Sequence, residues 1–353
     1  MSEFGVYVHI PFCRHRCDYC AFATWTDRDH LIESYVDAVI ADITQKSANG
    51  MPSADTVFVG GGTPTRIAPE LLARILHAIP LTNNSEITVE CNPDDVTSDM
   101  MIQYAAAGVN RISMGVQSMV PHVLDSLGRT HDPANIVKSI QYAHSAGITS
   151  VNLDLIYGVH GESLADWGIT MSEAIALGPT HISAYGLTVE AGTPLAEDPA
   201  RHPDDDDQAD KYVLADDMLT AAGFVNYEIS NWALPGFECR HNQVYWSQGN
   251  YEGFGCAAHS HRDGRRYWNV RTPDRYITCI ANGESVEAAD EILDSPTRKR
   301  EALELSLRTA AGVPRSALDA ESLEGLVETV GDRVVLTRNG RLLANEVSLR
   351  LNP

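Results

Sequence analysis

Basic residues are scarce in this chain: Lys and Arg number 26 against 48 Asp and Glu, a formal net charge of −22. A nucleic-acid surface must neutralise phosphates with a basic patch, and none is offered, so broad nucleic-acid binding is excluded. Long apolar runs are also missing. None approaches the roughly 18 residues a membrane span needs, so the chain is not expected to span a membrane. The opening "MSEFGVYVHIPF" has no basic stretch leading into an apolar one. No secretory signal is therefore expected, and a cytoplasmic location follows. Internal repeats and low-complexity tracts are absent. The single dense acidic run, "HPDDDDQAD", puts Asp204 to Asp207 where carboxylates suit the solvated first turn of a helix.

What is present is an ordinary core-forming composition, 44% hydrophobic over 353 residues, enough for two domains or one large barrel with an appendage. Seven cysteines in a chain without a leader are not expected to form disulfides. Cys91, Cys239, Cys256 and Cys279 are scattered and fit the role of small buried apolar residues.

From residue 3 to about residue 230, short β-rich runs alternate with longer helical ones. "FGVYVHI", "DTVFVG", "SEITVEC", "NRISMGV", "SVNLDLIYG" and "THISAYGLT" are the expected strands. Segments such as "LIESYVDAVIADI" and "ANIVKSIQYAHSAG" carry apolar residues at helical spacing. About six βα units imply an α/β fold with a parallel sheet, as an incomplete TIM-like barrel or an open doubly wound sheet. Either architecture gathers ligands at the carboxyl ends of its strands. The expected division is 1–230 for this unit, 231–290 for an irregular connecting segment rich in Gly, Asn, Trp and Tyr, and 291–353 for a small winged-helix-type unit. In the last, "RNG" suggests a hairpin, or a hairpin leading into a helix.

The polar and glycine-rich oddities fall at expected strand ends on one rim. After strand one, "HIPFCRHRCDYCAF" packs Cys13, Cys17 and Cys20 into eight residues. Structural zinc wants four ligands, commonly two separated pairs, and no second pair follows. Three thiolates in one tight loop suit three irons of a 4Fe–4S cube and leave the fourth iron open to an exogenous ligand. After strand two, "GGGTPT" permits close backbone approach to a ligand and, lacking a following Lys-Ser/Thr, is no phosphate loop.

With this spacing at this place, the chain resembles the radical S-adenosylmethionine (SAM) superfamily. The resemblance implies a partial (βα) barrel in which SAM chelates the open iron and the reduced cluster cleaves it to a 5′-deoxyadenosyl radical. It also implies SAM contacts from Tyr7, from Gly61, Gly62 and Thr63, and from Glu90, Gln117, Arg129 and Asp154. Their chemistry is suitable: the carboxylates accept from amine or ribose groups, and Arg129 can pair with a carboxylate.

"YVHIPFC", "GGGTPT", "SMGVQS" and "DLIYG" together resemble the narrower HemN/HemW group over nearly the whole chain. One branch of that group oxidatively decarboxylates coproporphyrinogen III and carries a further cysteine two residues after the triplet. Here that position is Phe22. The other branch binds haem as a chaperone and carries an HNxxYW motif, which "RHNQVYW" matches. The resemblance therefore implies haem bound with help from His241 and delivered to an acceptor protein, respiratory or membrane-associated, with the dehydrogenase reaction as the alternative. His259 and His261, in "AAHSHRDG", are expected to be structural.

Overall fold

Strand β1 (Phe4–Ile10) buries every residue but Tyr7, as a strand covered on both faces must. It opens the computed structural model, which describes residues 3–352. Residues 1, 2 and 353, the outermost positions of the expected first and third segments, lie outside the described residues. Five further strands follow in parallel and pair in chain order: β2 (Ala54–Gly61), β3 (Leu81–Cys91), β4 (Arg111–Gln117), β5 (Ser150–Tyr157) and β6 (His181–Gly186). The crossovers carry α1 (Ile32–Ala48), α2 (Pro69–Ala78), α3 (Ser98–Ala106), α4 (Pro121–Ser126), α5 (Pro133–Ser145) and α6 (Leu164–Ala176). Their apolar stripes join the strands in one continuous core. These are the six βα units that the alternation predicts, in the α/β partial barrel that the resemblance implies.

The acidic run begins α7 (Asp205–Ala221), with the Asp204 carboxylate accepting from Asp207 N at 2.9 Å as its cap. Two short antiparallel strands, β7 (Val225–Glu228) and β8 (Asn231–Ala233), then finish one edge of the sheet. No helix among the described residues is long and apolar enough to cross a membrane.

The segment expected to be irregular is not. After helix α8 (Arg240–Trp246), β9 (Asn250–Phe254) pairs in parallel with β1. Strands β10 (His259–Arg262), β11 (Arg265–Asn269) and, after helix α9 (Pro273–Asn282), β12 (Glu287–Ile292) extend the same sheet to twelve strands. These strands run four to six residues and end at an exposed acidic edge, so they show no apolar alternation. Arg265 pairs there with Glu287 and Asp290, and Arg266 with Glu291 and Glu301. Such charge on an outer strand discourages pairing with another chain.

The last unit comprises α10 (Ser295–Leu307), β13 (Val313–Pro314), β14 (Val327–Val330), β15 (Arg333–Leu336), α11 (Arg338–Leu342) and α12 (Ala344–Ser348). It closes a separate small core around Leu307, Val313, Leu318, Val334 and Val347. The "RNG" tripeptide makes no hairpin. Thr337 caps α11 by accepting from Gly340 N at 3.1 Å, and the tight turn falls instead at Gly331–Asp332, between β14 and β15. Gly340 is needed because a Cβ there would sit 1.8 Å from the Leu326 carbonyl oxygen. The unit docks on β7: Ala310 N donates to Tyr227 O, Ile229 N donates to Arg308 O, and Arg308 pairs with the buried Glu228.

Candidate functional site

The loop from Pro11 to Trp25 leaves β1 and is stitched down at both ends. Trp25 N donates to Pro11 O, Cys13 N donates to Trp25 O, and Cys20 N donates to Cys17 O. His9, buried in β1, holds the returning limb through Nε2, 2.9 Å from Ala23 O, while its Nδ1 lies 3.0 Å from the Tyr7 hydroxyl. Asp18 ties the middle of the loop to the far side of the barrel: its N–H donates to Leu127 O, and Arg201 pairs with its carboxylate. These contacts tie the loop to the barrel at both ends and in the middle.

All three thiols line one cavity of about 590 Å³ at the carboxyl ends of the strands. Among the described residues, no three His, Cys, Asp or Glu side chains converge closely enough to hold a single metal ion. A 4Fe–4S cube takes its thiolates at separate corners. Thr63 Oγ1 donates to Cys13 Sγ at 3.4 Å, and Arg129 Nη1 donates to Cys17 Sγ at 3.7 Å. Burial raises the Cys13 thiol, and the Thr63 hydroxyl bond opposes that rise.

The second wall is the glycine turn after β2. Gly62 N donates to Ile10 O and Thr63 N donates to Phe12 O, so this turn lies against the cysteine loop. Gly61 adopts φ +109°, and a Cβ on it would lie 2.3 Å from His9 Nδ1. A Cβ on Gly62 would meet the Ile10 and Phe12 carbonyl oxygens and Cys13 Sγ, all within 3.0 Å. The glycines are thus required by close approach as much as by turn geometry.

Glu90, Gln117, Arg129 and Asp154 line the same cavity. Glu90 accepts from Gly61 N at 3.1 Å. Burial, and secondly the Asp154 charge, push its carboxyl up to about 8. Burial also raises Asp154, against hydrogen bonds donated by Ser113 (2.7 Å) and Asn152 (2.8 Å). Gln117 ends β4 at a register shift and holds φ +64°, a strained conformation for a residue with a side chain. Arg129 Nη2 donates to Gly115 O at 2.7 Å, which fixes the guanidinium on the rim.

Two expected residues lie elsewhere. Tyr7 faces a smaller chamber below the rim, of about 260 Å³, which shares Gly61, Glu90, Ser113, Asp154 and Tyr185 with the cavity above. His241 lies lower still, on α8, which plugs the amino-terminal end of the barrel. Glu86 of β3 accepts from the backbone N–H groups of Arg240 and His241, at the amino-terminal turn of α8. The His241 ring is wholly buried and stacks on Phe58. Its Nδ1 lies 2.8 Å from Thr56 Oγ1 and its Nε2 2.7 Å from the Tyr245 hydroxyl. Burial, with the nearby Arg111 charge, drives its pKa down to about 3. The imidazole is neutral, but neither nitrogen is free for iron in this conformation. Two contributors were not singled out in the sequence. His9 was visible only as part of "HIPFC", and Tyr185, lining both cavities from the end of β6, was hidden in the ordinary strand "HISAYG".

Residues 7–174 match the model of the radical SAM superfamily. The chain is 40% identical to a heme chaperone HemW of Mycobacterium tuberculosis, over 98% of this chain and 94% of the relative. It is 34% identical to the heme chaperone HemW of Escherichia coli, over 98% and 97%. In structure it matches the E. coli coproporphyrinogen III oxidase HemN, described as a radical SAM enzyme, with a TM-score of 0.87 at 22% identity, covering 99% of this chain and 89% of that one. At that identity the match speaks for the fold. By sequence and architecture together, the chain belongs to the radical SAM superfamily and, within it, to the HemW family.

Proposed function

We propose that this chain is a haem chaperone: it binds haem and delivers it to an acceptor protein, respiratory or membrane-associated, in the cytoplasm. We further propose that Cys13, Cys17 and Cys20 hold a 4Fe–4S cluster and that SAM is bound at the same rim by Gly61, Gly62, Thr63, Glu90, Gln117, Arg129 and Asp154, with Tyr7 supporting from below. The carrying observation is that three thiols, a glycine turn in backbone contact with their loop, two half-buried carboxylates and a fixed guanidinium line one cavity. The donor chemistry fits the group: soft thiols for iron, and carboxylates and a guanidinium for the two ends of an amino acid. When bound, such a cluster supplies a low-potential electron and one open iron. The chain itself anchors the loop through His9 and Asp18, sets positive charge beside Cys17, and offers Glu90 as a carboxyl that a cationic ligand would ionise.

Phe22 weighs against the dehydrogenase alternative, because it lines the cavity where that branch carries a further thiol. Anaerobic reconstitution followed by iron, sulfide and haem analysis tests the cofactors. Transfer of bound haem to a haem-free acceptor tests the role. Conversion of coproporphyrinogen III to protoporphyrinogen with SAM and reductant would replace the chaperone reading with an enzymatic one.

The glycine turn makes a prediction of its own. Gly62→Ala should lower the iron retained after reconstitution several-fold, since its Cβ must displace Cys13 Sγ or two carbonyls. Gly168→Ala, in α6 with its nearest foreign atom 3.8 Å away, should leave iron content unchanged and raise stability slightly.

A further inference from the structure

The inward faces of β4, β5 and β6 are polar, where a barrel interior is ordinarily filled by branched apolar side chains. Alternate residues of each strand line the chamber of about 260 Å³ below the rim: Arg111 and Ser113, Asn152 and Asp154, His181 and Ser183. Most of these groups satisfy one another. His181 has Nδ1 2.6 Å from Asn152 Oδ1 and Nε2 2.7 Å from the Tyr227 hydroxyl. The Asn152 amide donates to Ser113 Oγ and Asp154 Oδ1, and Ser183 Oγ donates to Asn152 Oδ1.

Arg111 is the exception. It is 2% exposed, yet among the described residues its guanidinium makes neither an ion pair nor a hydrogen bond, and its Nε is buried without a partner. The two carboxylates whose charge reaches it are committed elsewhere. Glu86 accepts from the backbone N–H groups of Arg240 and His241, and Asp154 accepts from Ser113 and Asn152. Asn242 of α8 lines the same chamber, and among the described residues its side-chain amide makes no hydrogen bond either. A buried charge without a partner is costly, and a ligand of opposite charge removes that cost.

We propose that Arg111 and Asn242 form a carboxylate site on the floor of this chamber, below the iron and SAM positions at the rim, and that it takes an organic acid. The planar guanidinium fork matches a carboxylate with two parallel hydrogen bonds, and the amide can donate a third. The Asp154 and Glu86 charges favour a singly charged anion over a phosphate dianion. The chamber meets the cavity above at Glu90, Asp154 and Tyr185, so a small free acid and the acidic end of a longer molecule both reach the floor. The site goes beyond the haem reading and does not depend on it.

The test is calorimetric titration of acetate, butyrate and hexanoate into the full chain before cluster reconstitution, so that no open iron competes for the probe. The acids should bind at one saturable site, and the matching amides, neutral and of the same shape, should not. Affinity that falls with chain length assigns a free small acid; affinity that rises assigns the end of a longer ligand. Arg111→Met should weaken the best-binding acid by about tenfold or more. Having lost an unpaired buried charge, it should melt no lower than wild type in acid-free buffer. Asn242→Asp, which adds a negative charge to the chamber, should abolish acid binding and covers the case in which Arg111→Met does not fold. If no acid binds wild type better than its amide, or if Arg111→Met and Asn242→Asp bind the acids as wild type does, the proposal is wrong, whatever the protein does with haem.

Discussion

Serine in place of Cys13, Cys17 or Cys20 should strip the anaerobically reconstituted protein of its iron and acid-labile sulfide and bleach its brown colour. A serine hydroxyl keeps its proton where a thiol gives it up, so one corner of the cube loses its anionic ligand. Cys13 should be the most sensitive, because it is the most enclosed of the three and receives the Thr63 hydroxyl. Iron should fall from about four atoms per chain to a small fraction of that. Cys256→Ser and Cys279→Ser are the controls: both thiols are buried in the main core, away from the cavity. The loop is already tied by backbone bonds and by His9, so the variants should retain their secondary structure by circular dichroism. A triple serine variant that keeps full iron and sulfide would remove the cluster site from this loop.

Glu90→Gln should stabilise the ligand-free protein increasingly as pH rises. The Glu90 carboxyl ionises near 4.5 in the unfolded chain, but burial and Asp154 push it up to about 8 in the folded one. Its contribution to stability is therefore full below about pH 4.5 and is lost as pH climbs through 8. Glutamine mimics the protonated form and escapes that loss. The advantage should be under about 1 kcal/mol near pH 5 and on the order of 4 kcal/mol near pH 8.5. Thermal melts across that range measure it, and a pH-independent difference would show that Glu90 is not held protonated. The same variant should lose SAM binding, since an ammonium group gains from an ionised carboxylate and little from an amide. In wild type, SAM affinity should rise between about pH 6 and 8 as the ligand finds Glu90 already ionised.

Both predictions concern residues visible in the sequence, and the reason is topological. A parallel sheet collects the ends of its strands on one rim, so Cys13, Gly62, Glu90, Gln117 and Asp154 could be grouped from strand periodicity alone. The side chains that support them were harder to see. Thr56 reaches His241 across 185 residues of sequence, and only its Tyr245 partner, one helical turn along α8, is implied by local spacing. The motif marks His241 as a haem contact, and its bonds to Thr56 and Tyr245 hold the ring between α8 and β2. The outer strands escaped notice because "HSHR" and "EAADEI" lie at a solvated edge, where packing imposes no apolar alternation. "TRNG" looked like a turn because Asn-Gly favours one, but threonine capping and the tight pass of Gly340 beneath Leu326 O made it a helix start.

The two rims of the twelve-stranded sheet are guarded by different means. On one, β12 carries Glu287, Asp290 and Glu291, a row of negative charge that repels an intruding strand. On the other, β7 has little charge and relies on the backbone bonds that the C-terminal unit lends it at Tyr227 and Ile229. The final sixty or so residues thus act as a splint, and a chain truncated at β12 would bare hydrogen-bonding groups that a second truncated copy is well shaped to satisfy.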